Sequence, residues 1–208
     1  MKKDYINNIE GAERRFINPE MEIREEGDKK HILGVAAVVE RETDLGWFRE
    51  KIARGAFDDV LNQDTVALFN HDSNLPLART TANKEAKLHL FIDENGHLAY
   101  SYPPPKTSIG ADLTENIRNK VVKHSSFAFT IGEEKWEFAS KENGLDKDVR
   151  TILKIDRLYD VSPVTYPAYL DTTVAARSKE HFEKSNNNSQ IVQMRHRLIK
   201  IKNKIKIG

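Results

Sequence analysis

The sequence predicts an α+β fold, mainly an antiparallel β-barrel decorated by a few helices. Three observations lead to this prediction: short segments that are β-branched or alternate in polarity, one clear hairpin signal, and one amphipathic helical pattern. Short strands without regularly intervening helices favour antiparallel pairing over a parallel βαβ sheet. The 208 residues are enough to bury a core, and we expect one main domain with appendages.

The composition is that of an ordinary folding chain, with 38% hydrophobic and 31% charged residues. It contains no cysteine, which excludes disulfides, thiolate metal sites and a cysteine nucleophile. The chain starts without an apolar leader, and no apolar run approaches the roughly 20 residues that cross a bilayer. We therefore expect no signal peptide and no membrane partner.

Charge and low complexity divide the chain into three parts. Residues 1–28 read as a polar N-terminal arm that contributes at most one edge strand, and residues 29–177 read as the main domain. Residues 178–208 read as an Asn-rich linker and a basic tail. After Glu183 there are seven basic and no acidic residues, so the +1 net charge hides a net charge of −6 on residues 1–183.

The first half of the main domain contains two strand patterns. Residues 32–39 are apolar and β-branched, which predicts a buried strand. Gly55 and the residues up to Leu61 predict a turn that leads into a short helix. Residues 65–69 form the second strand pattern, and its end delivers His71 to the rim of the sheet.

A hairpin and a helix follow. Residues 87–92 and 97–102 flank an Asn-Gly pair, which accepts the positive φ angles of a tight hairpin turn. Thr107 or Ser108 caps a helix of about three to four turns. Its apolar stripe recurs every fourth residue, at Ile109, Leu113, Ile117 and Val121.

The last strand patterns carry the candidate nucleophile. From residue 127 to 131 bulky and small residues alternate, which predicts a strand with one bulky and one small face. A final pair of strands is predicted within residues 149–166. By strand alternation, Ser125 shares a face with the phenylalanines at 127 and 129, whereas Ser126 shares the small-residue face. We expect Ser126 to lie on the open side, with room for a peptide carbonyl.

His71 and Ser126 together suggest a serine protease. A hydroxyl is a weak nucleophile until a base takes its proton, and an imidazole suits that exchange near neutral pH. A third group must orient the imidazole, and the candidates are Asp156 and Asp160. Strand alternation places both on one face, so the residues alone leave the choice open. Asp72 is next to His71 in the sequence, and we expect its side chain to point away from the imidazole.

Other chemistries fit less well. No two of the seven histidines have the helical i, i+4 spacing with a glutamate between them, so we expect neither a metal site nor a cofactor. The tail lysines alternate with isoleucine and could meet phosphates. The balanced total charge and the lack of interleaved aromatic residues argue against specific nucleic-acid binding.

Four motifs within about residues 31–177 resemble those of the tailed-phage prohead proteases, capsid-maturation serine proteases similar in design to the herpesvirus assembly protease. Their order and spacing make the resemblance specific. The motifs are an opening segment with Phe48, Glu50, Ile52 and Gly55-Ala56-Phe57; a histidine motif at residues 68–72, followed by 77–80; a serine motif at 125–129; and a closing motif at 158–169.

The resemblance implies a herpesvirus-protease-like barrel and assigns three roles. His71 would be the general base, Ser126 the nucleophile and Asp160 the orienting acid, with Asp156 as the second choice. Two positions depart from the family pattern: Ala128 stands where glycine is usual, and Asp160 stands where glutamate is common. Backbone N–H groups, with Arg79 as a helper, are the candidates for an oxyanion hole, a role that the sequence leaves unassigned.

The resemblance also implies partners and a place of action. The substrates would be capsid and scaffolding proteins, cleaved inside the immature capsid, the prohead, in the host cytoplasm. Self-cleavage is implied as well, and a homo-oligomer remains open. The competing hypothesis from a different class is a non-catalytic capsid scaffolding or assembly protein on the same barrel.

Overall fold

The computed structural model describes residues 6, 9–17, 21–26, 29–46, 48–140 and 143–166. Nearly all of its regular structure is β-strand, and a single α-helix lies in these ranges. The elements are β1 (Glu13–Ile17), β2 (Glu22–Glu26), β3 (Lys29–Ala37), β4 (Thr43–Asp44), β5 (Phe48–Ile52), β6 (Val66–Phe69), β7 (Asp72–Arg79), β8 (His89–Ile92), β9 (Leu98–Tyr102), α1 (Ser108–Arg118), β10 (His124–Glu137) and β11 (Asp148–Val164).

The strands form two hydrogen-bonded sheets. In the seven-stranded sheet the order is β1-β10-β11-β5-β4, with β6 on β11 and β7 on β6; the four-stranded sheet has the order β2-β3-β9-β8. Most pairs are antiparallel, and β11 is parallel to both β5 and β6. The predicted mainly antiparallel β-fold is therefore confirmed, with one α-helix in the described residues. Closure of the sheets into a barrel stays a prediction.

The locally encoded elements agree with the sequence patterns. The predicted hairpin is β8–β9, and only Gly96 in its turn has a positive φ, +85°. Thr107 caps α1, accepting a hydrogen bond from the Gly110 amide at 3.3 Å. Val121 does not extend the apolar stripe and is 57% exposed. The helix ends at Arg118, and Lys120 takes a positive φ of 56° that turns the chain away.

The predicted final pair of strands is wrong, because residues 148–164 form one strand, β11, of 17 residues. This strand changes partner along its length. Its first part pairs with β5 and its last part with β6. Between them the Ile155 amide donates to the Ala56 carbonyl at 2.9 Å. The change of partner lets one strand continue where the sequence predicts a turn.

The N-terminal arm contributes two edge strands where at most one was expected. β1 pairs with β10, and β2 pairs with β3 in the other sheet. The predicted linker and tail, residues 178–208, lie outside the described residues. No helix in the described ranges is long and apolar enough to span a membrane.

A buried cluster of ion pairs joins β1 to the middle of the seven-stranded sheet. We call it the ion cluster and define it as Glu13, Arg15, Glu50 and Arg150. Arg15 binds Glu50 through Nε at 2.5 Å and Nη2 at 2.8 Å, and Arg150 binds Glu13 at 2.9 Å and Glu50 at 3.1 Å. All four side chains are at most 10% exposed. Burial acts to lower the pKa of both guanidinium groups, but the charges of the two glutamates outweigh it and raise the pKa.

Replacing Arg150 with methionine should lower the free energy of unfolding by about 3–5 kcal/mol, because Arg15 alone then has to neutralise the two buried carboxylates of Glu13 and Glu50. Urea unfolding followed by circular dichroism measures the effect. Arg49 is the matched control, since it pairs with Glu42 and Asp146 at the surface, where ion pairs contribute little. If Arg49→Met and Arg150→Met lowered the free energy of unfolding equally, the larger effect expected for the buried ion pairs would be contradicted.

Candidate active site

His71 lies in the tight turn between β6 and β7. Phe69 pairs with Asp72, so Asn70 and His71 are the two central residues of the hairpin. Both have positive φ, +53° and +56°, as a type I′ turn requires. Asparagine adopts this conformation readily. A histidine is less common there, so its presence indicates that the surroundings determine the turn.

The end of β11 holds this turn in place. The Asn70 amide donates to the Pro163 carbonyl at 3.0 Å. The Asn70 side chain accepts from the Thr165 amide at 2.9 Å and donates to the Thr165 hydroxyl at 3.3 Å. The turn that carries His71 is thereby fastened to the strand that carries Asp160.

The two serines of β10 point to opposite sides of the strand. The Ser125 hydroxyl lies 2.7 Å from the Tyr100 hydroxyl, in the core. Burial raises the pKa of Tyr100, so this phenol stays protonated. The Ser126 hydroxyl instead lies 2.6 Å from His71 Nε2. The alternation argument thus separates the serines correctly, but Ser126 is fully buried and not open, and β1 pairs with β10 beside it.

Asp160 completes a chain of hydrogen bonds. His71 Nδ1 lies 2.6 Å from Asp160 Oδ1, and both side chains are at most 7% exposed. The Ser162 hydroxyl donates to the same Oδ1 at 2.7 Å. Asp160 Oδ2 is buried without a hydrogen-bond partner. Such a carboxylate favours the imidazole tautomer with its proton on Nδ1, which leaves Nε2 free to accept the Ser126 proton.

Irregular pairing between β10 and β11 separates the two candidate aspartates. Asp160 pairs with Ala128, but the next pair is Leu158 with Phe129, so one residue of β11 bulges out. A second bulge falls at Asp156, whose side chain is exposed. The expectation that both aspartates share a face is wrong, because each bulge shifts the alternation by one residue.

Two other candidates are engaged elsewhere. Asp72 accepts hydrogen bonds from the backbone and side chain of Asn74. Arg79, the suggested oxyanion helper, forms a two-point ion pair with Asp64 at 2.7 and 2.5 Å. In the described part of the chain, no group of three or more histidine or acidic side chains is arranged to hold a metal ion.

Sequence reasoning missed three contributors to this site. They are Asn70 as the fastening residue, Ser162 as the second donor to Asp160, and Arg15, whose carbonyl oxygen lies 2.9 Å from the Ser126 hydroxyl. The Asn-His pair between two strand patterns was a usable signal, since a two-residue connection with asparagine favours a type I′ turn. No local signal predicts Arg15, because 111 positions separate it from Ser126.

Comparisons with known proteins give the family. A search of the curated proteins finds no match. Among solved structures, the bacteriophage T4 capsid assembly protease is similar with a TM-score of 0.47 and 12% sequence identity, over 75% of this chain and 98% of that chain. A family model described as caudovirus prohead serine protease matches residues 19–186. This match spans most of the 208 residues, and the chain therefore belongs to the caudovirus prohead serine protease family.

Proposed function

We propose that this serine protease cleaves peptide bonds in capsid and scaffolding proteins during phage capsid assembly, with Ser126 as nucleophile, His71 as general base and Asp160 as the orienting acid. One observation carries the proposal: a continuous chain of hydrogen bonds runs from Ser126 through His71 to Asp160, with both contacts at 2.6 Å. Membership of a protease family supports an enzyme over the non-catalytic scaffolding alternative.

The first half of the reaction forms an acyl-enzyme. The Ser126 oxygen bonds to the carbonyl carbon of the substrate as His71 Nε2 takes the hydroxyl proton, and the carbonyl π electrons move to the oxygen. When this tetrahedral intermediate collapses, the carbon–nitrogen bond breaks and the imidazolium gives its proton to the leaving amine. Asp160 orients the ring of His71 and stabilises the imidazolium that forms between these steps.

The second half releases the product. A water molecule loses a proton to His71 Nε2 and attacks the ester carbonyl. The bond to Ser126 then breaks, and the serine oxygen recovers its proton from the imidazolium. The fixed turn at Asn70 and His71 supports this repeated exchange, because a histidine held by both neighbours needs little reorientation between steps.

The biological setting follows from the family. We infer action in the host cytoplasm, inside the immature capsid, on capsid and scaffolding proteins and on the chain itself. A protease domain at residues 29–177, with a removable tail at 178–208 and sheets that close into a herpesvirus-protease-like barrel, belongs to the same proposal. The proposal includes no cofactor, no nucleic acid and no membrane, and it leaves a homo-oligomer open.

Coexpression with the capsid and scaffolding proteins of the same phage tests the function. The wild-type chain should produce shortened capsid or scaffolding products, and His71→Ala should leave the precursors at full length, because no base remains to take the serine proton. Gel electrophoresis and mass spectrometry identify the products. His89→Ala is the control, since this exposed histidine lies on β8 in the other sheet. Equal processing by His71→Ala and wild type would refute the assigned base.

A further inference from the structure

β1 lies along the edge of β10 directly beside Ser126. The two strands are antiparallel, with Phe16 opposite Ser126 and Arg15 opposite Phe127. The Arg15 carbonyl oxygen is 2.9 Å from the Ser126 hydroxyl oxygen, in a geometry that lets the hydroxyl donate. A segment of the chain's own N-terminal arm therefore contacts the candidate nucleophile directly.

This contact competes with activation of the serine. The hydroxyl carries one proton, and two acceptors lie in reach: His71 Nε2 at 2.6 Å and the Arg15 carbonyl at 2.9 Å. Donation to the carbonyl removes the proton from the path to the base. Ser126 also has no exposed surface in this arrangement, so a second peptide cannot reach the hydroxyl without a movement of the chain.

Two side chains hold β1 in this position. Glu13 and Arg15 both enter the ion cluster, where Glu13 meets Arg150 and Arg15 meets Glu50. The Arg15 guanidinium also lies over the ring of Phe129, 5.7 Å from its centroid. These partners belong to β5, β10 and β11. If β1 leaves, Arg150 keeps Glu50 and also Glu134, which it binds at 2.6 Å.

We propose that β1 is an inhibitory strand, which silences Ser126 by occupying the edge of β10 and which must be displaced before a substrate is cleaved. The proposal rests on the proposed function, because it needs Ser126 to be the nucleophile.

The inhibitory strand also predicts a substrate preference. When β1 leaves, Glu50 faces the position that Arg15 has vacated. A displacing peptide with an arginine at that position can reuse the contacts to Glu50 and Phe129, so this inhibitory strand also predicts a preference for a basic side chain.

The double variant Glu13→Ala/Arg15→Ala tests the proposal, because it removes the two members of the ion cluster that lie on β1. Modification of Ser126 by diisopropyl fluorophosphate, followed by mass spectrometry, reports how often the site opens. Labelling should be about tenfold faster or more in the double variant than in wild type. The matched control is Glu22→Ala/Arg24→Ala, which removes an exposed ion pair from β2 and should label at the wild-type rate.

The outcomes separate the inhibitory strand from the catalytic assignment. Ser126 labelling that is equally fast in wild type and the double variant would overturn inhibition and leave the nucleophile in place. Labelling of Ser126 in none of the variants would overturn the nucleophile, and the inhibitory strand with it. Cleavage of the purified wild-type chain after Arg15 would also overturn inhibition, because β1 would then be a substrate.

A second design does not depend on the double variant folding. A recognition site for a specific protease is inserted between Ile17 and Met21, the protein is folded intact, and the chain is then cut. Labelling of Ser126 should rise after the cut and fall again when a peptide of residues 11–17 is added. The same peptide with alanine in place of Arg15 should suppress labelling less. Unchanged labelling after the cut would refute the inhibitory strand.

Discussion

Replacing Ser126 with alanine should lower the rate of precursor cleavage by on the order of 10⁴-fold or more, because no oxygen remains to form the acyl-enzyme. Loss of the nucleophile removes covalent catalysis, whereas the fold should persist, since the change deletes one oxygen atom and leaves the pairing of β10 with β1 and β11 in place. The measurement is the rate at which purified full-length capsid protein disappears, followed by gel densitometry, with circular dichroism as the check on folding.

Ser125 gives the matched control on the same strand. Ser125→Ala removes the hydroxyl that meets Tyr100 in the core, so it should lower the free energy of unfolding by about 1–3 kcal/mol. Cleavage per folded molecule should stay within about threefold of wild type, because this side chain is on the face opposite His71. Cleavage lost in Ser125→Ala and retained in Ser126→Ala would reverse the assignment of the two serines.

Asp160→Asn should lower the rate of cleavage by on the order of 10⁴-fold, because it changes which ring nitrogen of His71 carries the proton. The carboxylate lies 2.6 Å from Nδ1 and favours the tautomer in which it accepts the Nδ1 proton. An asparagine amide can instead donate to Nδ1, and the ring then carries its proton on Nε2, where it cannot accept one from Ser126. Substrate binding should change little, so the loss should appear in kcat more than in KM.

Asp156→Asn is the control for this prediction, because Asp156 is the other aspartate that the sequence offers. It is exposed and lies at a bulge of β11, so its replacement should leave kcat near the wild-type value. A loss of activity in Asp156→Asn comparable to that in Asp160→Asn would contradict the assignment of the orienting acid.

The elements that depend only on residues close together in the sequence could be predicted from the sequence. The β8–β9 hairpin, the capped helix α1 and the start of β10 each depend on residues within a few positions of one another. The continuity of β11 could not be predicted in this way. It depends on β5 and β6, which precede it by roughly 100 residues and pair with different parts of it. A change of pairing partner along one strand leaves no pattern in the local sequence.

For the site, residue types and alternation in β10 were sufficient to select His71 and Ser126 as candidates. They were insufficient to separate Asp156 from Asp160, because the bulges that separate them arise only when β10 and β11 pair. They were also insufficient to predict that Ser126 is covered. The ion cluster that holds β1 joins Glu13 to Arg150 across 137 positions of sequence.

The amino-acid sequence by itself determined the chemistry that the chain can offer: a serine and a histidine on strand patterns, a choice of aspartates, and no thiol. The tertiary structure alone decided which aspartate contacts the histidine and which strand pairs beside the serine. The physical reason is that both choices depend on the free energy of long-range strand pairing and charge burial, which exists only after distant segments have come together.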